Sequence, residues 1–209
     1  MQEILQTLAE RYDPLALIVY GSFAEGSDTL FSDFDALVIT REGEKRHDCS
    51  FVHGVQLDVF VCPRAALEND FKPEDYVQIY DGKILLDDHG LAEGLIQKVN
   101  AWLDSQAAKS REELSADVSW CEKMLRRAGN SDAEGAFRRH WLLVESLEIY
   151  TALRGWRYLG PKKALRQLRT RDKNAYRLYA EALADTDPEA LAAWVEQIKA
   201  RRPKGGKGN

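Results

Sequence analysis

The densest chemistry in this sequence lies in one run, Tyr20-Gly-Ser-Phe-Ala-Glu-Gly-Ser-Asp-Thr-Leu-Phe-Ser-Asp-Phe-Asp-Ala-Leu-Val38. Asp33 and Asp35 stand at i and i+2, so an extended backbone turns both carboxylates to one side. Two such charges repel, and a hard divalent cation relieves a repulsion that would otherwise protonate one of them or keep both in water. Asp58 sits between Leu57 and Val59, amid Val55 and Phe60, where an unpaired charge is costly to bury. If its strand runs beside that of Asp35, the cluster becomes a trio. Three carboxylates holding two magnesium ions suit in-line phosphoryl or nucleotidyl transfer: one ion acidifies the attacking hydroxyl and the other neutralises the departing pyrophosphate. Gly21-Ser22 fits beside them. A glycine lets backbone N–H groups approach phosphate oxygens, and a serine hydroxyl adds an uncharged donor.

Gly21-Ser22, Gly26, Ser32-Asp33-Phe34-Asp35 and an isolated acidic residue on a later strand together resemble the signature of the DNA polymerase beta-like nucleotidyltransferase superfamily. The resemblance covers roughly residues 15–61. It implies that Asp33, Asp35 and Asp58 are catalytic metal ligands for Mg2+, that Gly21 and Ser22, with Ser32, bind the nucleotide, and that ATP or another NTP is the co-substrate. More loosely, in layout and size, the second half resembles the helical bundle of small bacterial antibiotic nucleotidyltransferases of the aminoglycoside and lincosamide types. That likeness implies a small, hydroxylated, antibiotic-like acceptor, with a protein or tRNA acceptor as the alternative within the class and a non-catalytic, antitoxin-like module as the alternative outside it.

The elements that must hold this site read as α+β. Glu3–Arg11 has helical spacing, Leu15–Tyr20, Asp35–Thr40 and Val55–Val61 read as strands, and Arg41–Asp48 as a charged connection. Tyr76–Tyr80 and Lys83–Leu86, joined at Asp81-Gly82, predict a hairpin, giving a mixed sheet of about five strands. The rest turns to a 3.6-residue period. Candidate helices are Leu91–Asp104, Arg111–Arg127, Ala133–Leu153, Pro161–Arg169, Lys173–Ala184 and Pro188–Ala200, with boundaries at Asp132, Gly160 and Asp187. The expected division is a catalytic domain over residues 1–104, a helical bundle over 105–200 and a disordered basic tail over 201–209.

Charge divides in the same place. Residues 1–104 carry 20 Asp/Glu against 8 Lys/Arg and residues 105–209 carry 14 against 21, so an acidic half suited to divalent cations precedes a basic half suited to phosphates. The cationic run from Arg154 to Arg171 contains no acidic residue, and Pro161 after Gly160 places Lys162 and Lys163 in a helix's first turn, where a triphosphate could dock or a basic face simply meets water. On the helix Ala133–Leu153, a wheel places Glu148 among Phe137, Trp141 and Val144 and Glu145 at the edge of that apolar face, with Arg139 and Ser146 pointing away. Either carboxylate could be a general base, or a salt-bridge partner inside the bundle. The expected site is a cleft between the two domains.

Four scattered histidines show no metal spacing, and three cysteines without a CxxC pair read as reduced, partly buried thiols. No apolar run is long enough for a membrane helix and the N-terminus lacks a signal-peptide layout, so a cytoplasmic protein without a membrane partner is expected. The acidic total opposes a nucleic-acid partner. A homodimer stays open, and no feature separates adenine from guanine.

Overall fold

The structure, a computed structural model, describes residues 1–69, 71–185 and 188–203. Two compact units divide the chain, Met1–Gln106 and Ala107–Asn209.

In the first unit, α1 (Gln2–Tyr12) ends where Asp13 turns left-handed ahead of Pro14. There follow β1 (Ala16–Val19), α2 (Gly21–Glu25), β2 (Phe34–Thr40), β3 (Arg46–Asp48), β4 (Phe51–Val52), β5 (Val55–Pro63) and α3 (Arg64–Asn69). A 3-10 helix (Pro73–Ile79), β6 (Lys83–Asp87) and α4 (Leu91–Ser105) complete it. The sheet runs β3-β5-β2-β1-β6, with β4 paired to β5. Its one parallel pair among the described residues is β2 with β5, and β1 is antiparallel to both β2 and β6.

Alternation along these strands makes two faces. Ile4, Leu8 and Tyr12 of α1 cover Leu17, Val19, Phe34, Ala36, Val38, Leu57, Val59 and Val61 on one of them. The other face carries Asp35, Leu37, Asp58 and Phe60, and α4 with the 3-10 helix packs at its β1–β6 side.

Two expectations change here. The hairpin over Tyr76–Leu86 does not form: Pro73 opens a 3-10 helix with Glu74 and Asp75 in its first turn, and Lys83–Asp87 pairs with β1 instead. Gly82 has no positive φ; a Cβ there would stand 2.5 Å from Ile18 Cγ2, so close approach to β1 requires the glycine. The charged connection also holds more than expected. Its end is β3, and His53-Gly54, with φ of 50° and 82°, make the tight turn that folds β4 onto β5.

The second unit contains α5 (Arg111–Ala128), α6 (Ala133–Leu153), α7 (Pro161–Arg171), α8 (Lys173–Asp185) and α9 (Pro188–Lys199). Ser110 and Glu113 form a reciprocal capping box that starts α5, and Asp132 caps α6. Trp194, Tyr150, Tyr179 and Leu147 are buried together. Two polar groups in this core find partners: the Trp194 indole N–H donates to Ser146 Oγ at 2.8 Å, and Tyr179 OH donates to the Leu143 carbonyl at 2.8 Å.

Arg202 Nη2 donates to Glu122 at 2.5 Å and Arg201 lies 3.6 Å from Asp172, so the chain is still anchored after residue 200; residues 204–209 and the boundary expected at Asp187 lie outside the described residues. No helix among the described residues is long and apolar enough to cross a membrane.

Of the cysteines, Cys49 is exposed whereas Cys62 and Cys121 are buried. Burial raises the Cys62 thiol and pushes that of Cys121 up to about 12. A native chain is therefore expected to give one thiol to an aromatic disulfide reagent and the remaining two only after unfolding; a second thiol reacting in the native state would contradict this packing.

Candidate active site

The site is built where β1 hands the chain to α2. The Tyr20 N–H donates to the Asp35 carbonyl at 3.1 Å, tying the end of β1 to the start of β2. Gly21 has a φ of 66°, and a Cβ on it would stand 2.3 Å from Asp35 Oδ2 and 2.9 Å from its Cγ. The Asp35 carboxylate thus lies against the bare backbone that opens α2. Phe23 on α2 meets Phe34 edge-on, with ring centroids 5.2 Å apart, and Phe34 is fully buried in the α1-side core. Because Phe34 points inward, its neighbours Asp33 and Asp35 emerge on the opposite side. Asp33 is exposed just ahead of β2. Ser32 closes the preceding turn: its hydroxyl accepts from the Thr29 N–H at 2.9 Å and its own N–H donates to the Thr29 carbonyl at 3.0 Å.

The parallel ladder sets Asp35 directly opposite Asp58, the placement that the sequence left to inference. The Asp58 carboxylate, 39% exposed, is hydrogen-bonded to Nε2 of His47 on β3. The His47 ring stacks on Phe60 at 4.3 Å with an interplanar angle of 6°, and Cys49 Sγ lies 3.4 Å from its Nδ1. His47 escaped the sequence analysis because its segment read as a connection; the signal available was the short alternation Arg46-His47-Asp48. Burial, and then the negative charges of Asp58 and Asp35, push the Tyr20 phenol well above its ordinary range, opposed by its hydrogen bond with Gln78.

Asp48 points to the other face and locks β3 onto α1. Tyr12 OH and Arg11 Nη1 each donate to its Oδ2 at 2.5 Å, and the Ser50 N–H donates to Oδ1 at 2.9 Å.

Hard oxygen donors are what divalent cations prefer, and the strand register supplies two of them side by side. As the side chains stand, no group of three His, Cys, Asp or Glu among the described residues converges to hold a metal ion. The donor set fits a hard divalent cation in type and strand position, and Oδ1 of Asp58 already has a partner in His47 Nε2.

The remaining residues singled out from the sequence belong to the helical unit. The expected rotation of α6 is reversed: Ser146 is fully buried, while Phe137 and Val144 are each 63% exposed and Glu145 and Glu148 are exposed beside them. Leu142, Leu143, Leu147 and Tyr150 form the larger apolar surface and take the core, and Ser146 enters because Trp194 satisfies it. The premise of carboxylates enclosed by apolar side chains thus fails for Glu145 and Glu148. They line an open cavity of about 310 Å3 with Trp120, Trp141 and the Lys109–Asp117 ion pair. Lys162 is exposed and Lys163 half-buried at the start of α7. Part of the cationic run is structural: the guanidinium groups of Arg154 and Arg171 lie 5.1 Å and 5.6 Å from the Trp156 ring centroid.

No curated protein matches the chain. Among solved structures, the nucleotidyltransferase-like protein from Exiguobacterium sibiricum 255-15 is similar over 96% of this chain and 73% of its own, at 14% identity and a TM-score of 0.40, a likeness too slight to bear on activity. The nucleotidyltransferase domain model matches residues 1–101, which contain the Gly21-Ser22 turn and the three aspartates. Over these residues the chain is similar to the nucleotidyltransferase domain family.

Proposed function

We propose that the protein transfers a nucleoside monophosphate, AMP from ATP, to a hydroxyl of a small, antibiotic-like acceptor with two magnesium ions. The observation that carries this reading is the parallel register of Asp35 and Asp58 beside a glycine pressed onto the Asp35 carboxylate. Asp33, Asp35 and Asp58 would hold the ions, which when bound acidify the attacking hydroxyl and offset the charge of the leaving pyrophosphate. Gly21 and Ser22 present a backbone without a side chain and then a hydroxyl, which suits phosphate oxygens; Ser32 shapes the turn that delivers Asp33. The acceptor oxygen bonds to the α-phosphorus as the bond from that phosphorus to the bridging oxygen breaks, pyrophosphate leaves, and the hydroxyl proton passes to a carboxylate.

A non-catalytic, antitoxin-like module is the second reading, favoured by the Asp58–His47 pairing. Pyrophosphate release separates the two. With magnesium, labelled ATP and a panel of hydroxylated acceptors, release is expected from the native chain and not from Asp33→Asn or Asp35→Asn; no release with any acceptor, or release unchanged in both variants, would leave the non-catalytic module. A non-hydrolysable ATP analogue is also expected to raise the melting temperature only when magnesium is present, and not in Asp35→Asn.

A further inference from the structure

A cavity of about 340 Å3 opens on the sheet face that carries Asp35 and Asp58, at the lower end of the roughly 300–1,000 Å3 typical of small-molecule sites. Leu37, two residues beyond Asp35, and Phe60, two residues beyond Asp58, form its floor, and His47 stacks on Phe60 beside them. Phe60 is 41% exposed, an aromatic ring left open in a strand whose other face is buried. Gln78, whose side chain is hydrogen-bonded to Tyr20, lies across from it on the 3-10 helix. The lining contains Lys45 and a single carboxylate, Asp75, while the Arg46 guanidinium turns away over the Tyr12 ring at 5.0 Å.

The strand order gives this cavity a direction. Gly21-Ser22 follow β1, Asp35 lies on β2, Asp58 on β5, and the cavity lies over β5 and β3. In an in-line displacement the attacking oxygen enters opposite the leaving group. With pyrophosphate at Gly21-Ser22, the attacking hydroxyl arrives from the β5–β3 side, where the cavity is.

We infer that this cavity is the acceptor subsite, and that it takes a flat, apolar, uncharged ring system bearing a hydroxyl rather than a polycation. The inference rests on the proposed nucleotidyl transfer for the name acceptor. The chemistry of the ligand follows from the walls. An aromatic floor rewards a stacked ring, and a lining with one carboxylate, Asp75, and the cationic Lys45 offers no pair of acidic groups to a multiply charged amine.

The test is direct binding to the full chain without nucleotide, using 2-naphthalenemethanol as the flat alcohol and 1,3-diamino-2-propanol as the hydroxylated diamine. The native chain is expected to bind the first saturably and the second undetectably. Phe60→Ala should weaken naphthalenemethanol at least tenfold with an unchanged circular dichroism spectrum. Lys45→Glu, a change at an exposed residue, should bring the diamine into the measurable range. Equal affinity in Phe60→Ala, no saturable binding, or a native preference for the diamine overturns the inference; if Phe60→Ala does not fold, the Lys45→Glu arm decides. Failure of the catalytic reading is read elsewhere, as no pyrophosphate release with any acceptor, and is distinct from release that persists unchanged in Phe60→Ala.

Discussion

Alanine at position 21 is expected to lower nucleotidyl transfer by about a hundredfold or more and to destabilise the N-terminal unit by about 1–3 kcal/mol. Two separate costs add. The backbone φ of 66° is one that an alanine occupies only under strain. The new Cβ would also stand 2.3 Å from Asp35 Oδ2. Ordinary contact requires the carboxylate to retreat by about 1 Å, which removes it from its place beside Asp58. Gly26 separates the two effects, because its φ is 68° and nothing lies within 4 Å of its would-be Cβ. Gly26→Ala is expected to show strain alone, about 1–2 kcal/mol, and to keep most of its transfer. Pyrophosphate release and denaturant melts of both variants check this. Equal loss of activity in the two would mean that the contact with Asp35 is irrelevant.

Asp48→Asn is expected to destabilise the same unit by about 2–3 kcal/mol at neutral pH and to flatten the acid end of its stability curve. Burial alone would raise this carboxyl, but hydrogen bonds from Tyr12, Ser50 and Arg11 outweigh it and hold Asp48 well below the usual carboxylate range. A group whose pKa is depressed by folding stabilises fully above its unfolded value of about 3.9, and that stabilisation is lost as the pH falls through the folded value. The difference between native and variant chains should therefore be largest above about pH 5 and shrink as the solution is acidified further. Denaturant melts at three pH values measure it; a difference independent of pH would mean that the charge contributes nothing. The Asp48 side chain is 11% exposed but Arg11 is 38% exposed, so solvent screens the Arg11 pairing and the Tyr12 bond is the better protected.

What the sequence reveals about this protein is what lies close together in it. The run from Tyr20 to Val38 contains a strand, a glycine turn and two carboxylates without any distant partner, so local spacing suffices to read it. Asp58 needs a pairing between β2 and β5, separated by the β3 and β4 insertions, and alternation of Leu57, Val59 and Val61 gives its face but not its neighbour. Asp81-Gly82 misleads because the same dipeptide serves a tight turn or a close backbone contact, and only the presence of Ile18 beside Gly82 decides. On α6, apolar residues surround the helix nearly evenly. The buried face is chosen by Trp194 and Tyr179, which come from helices far along the chain and supply partners for Ser146 and the Leu143 carbonyl.

The ladder between β2 and β5 also separates two quantities that usually travel together, contour length and spatial distance. Asp35 and Asp58 are neighbours through backbone pairing, so the number of residues joining their strands does not set their separation. The bends at Arg41–Gly43, ahead of β3, are therefore a permissive place to lengthen or tag the chain. A single residue inserted between Ala36 and Thr40 is the opposite case. It would slip the register and turn one of the two faces inside out.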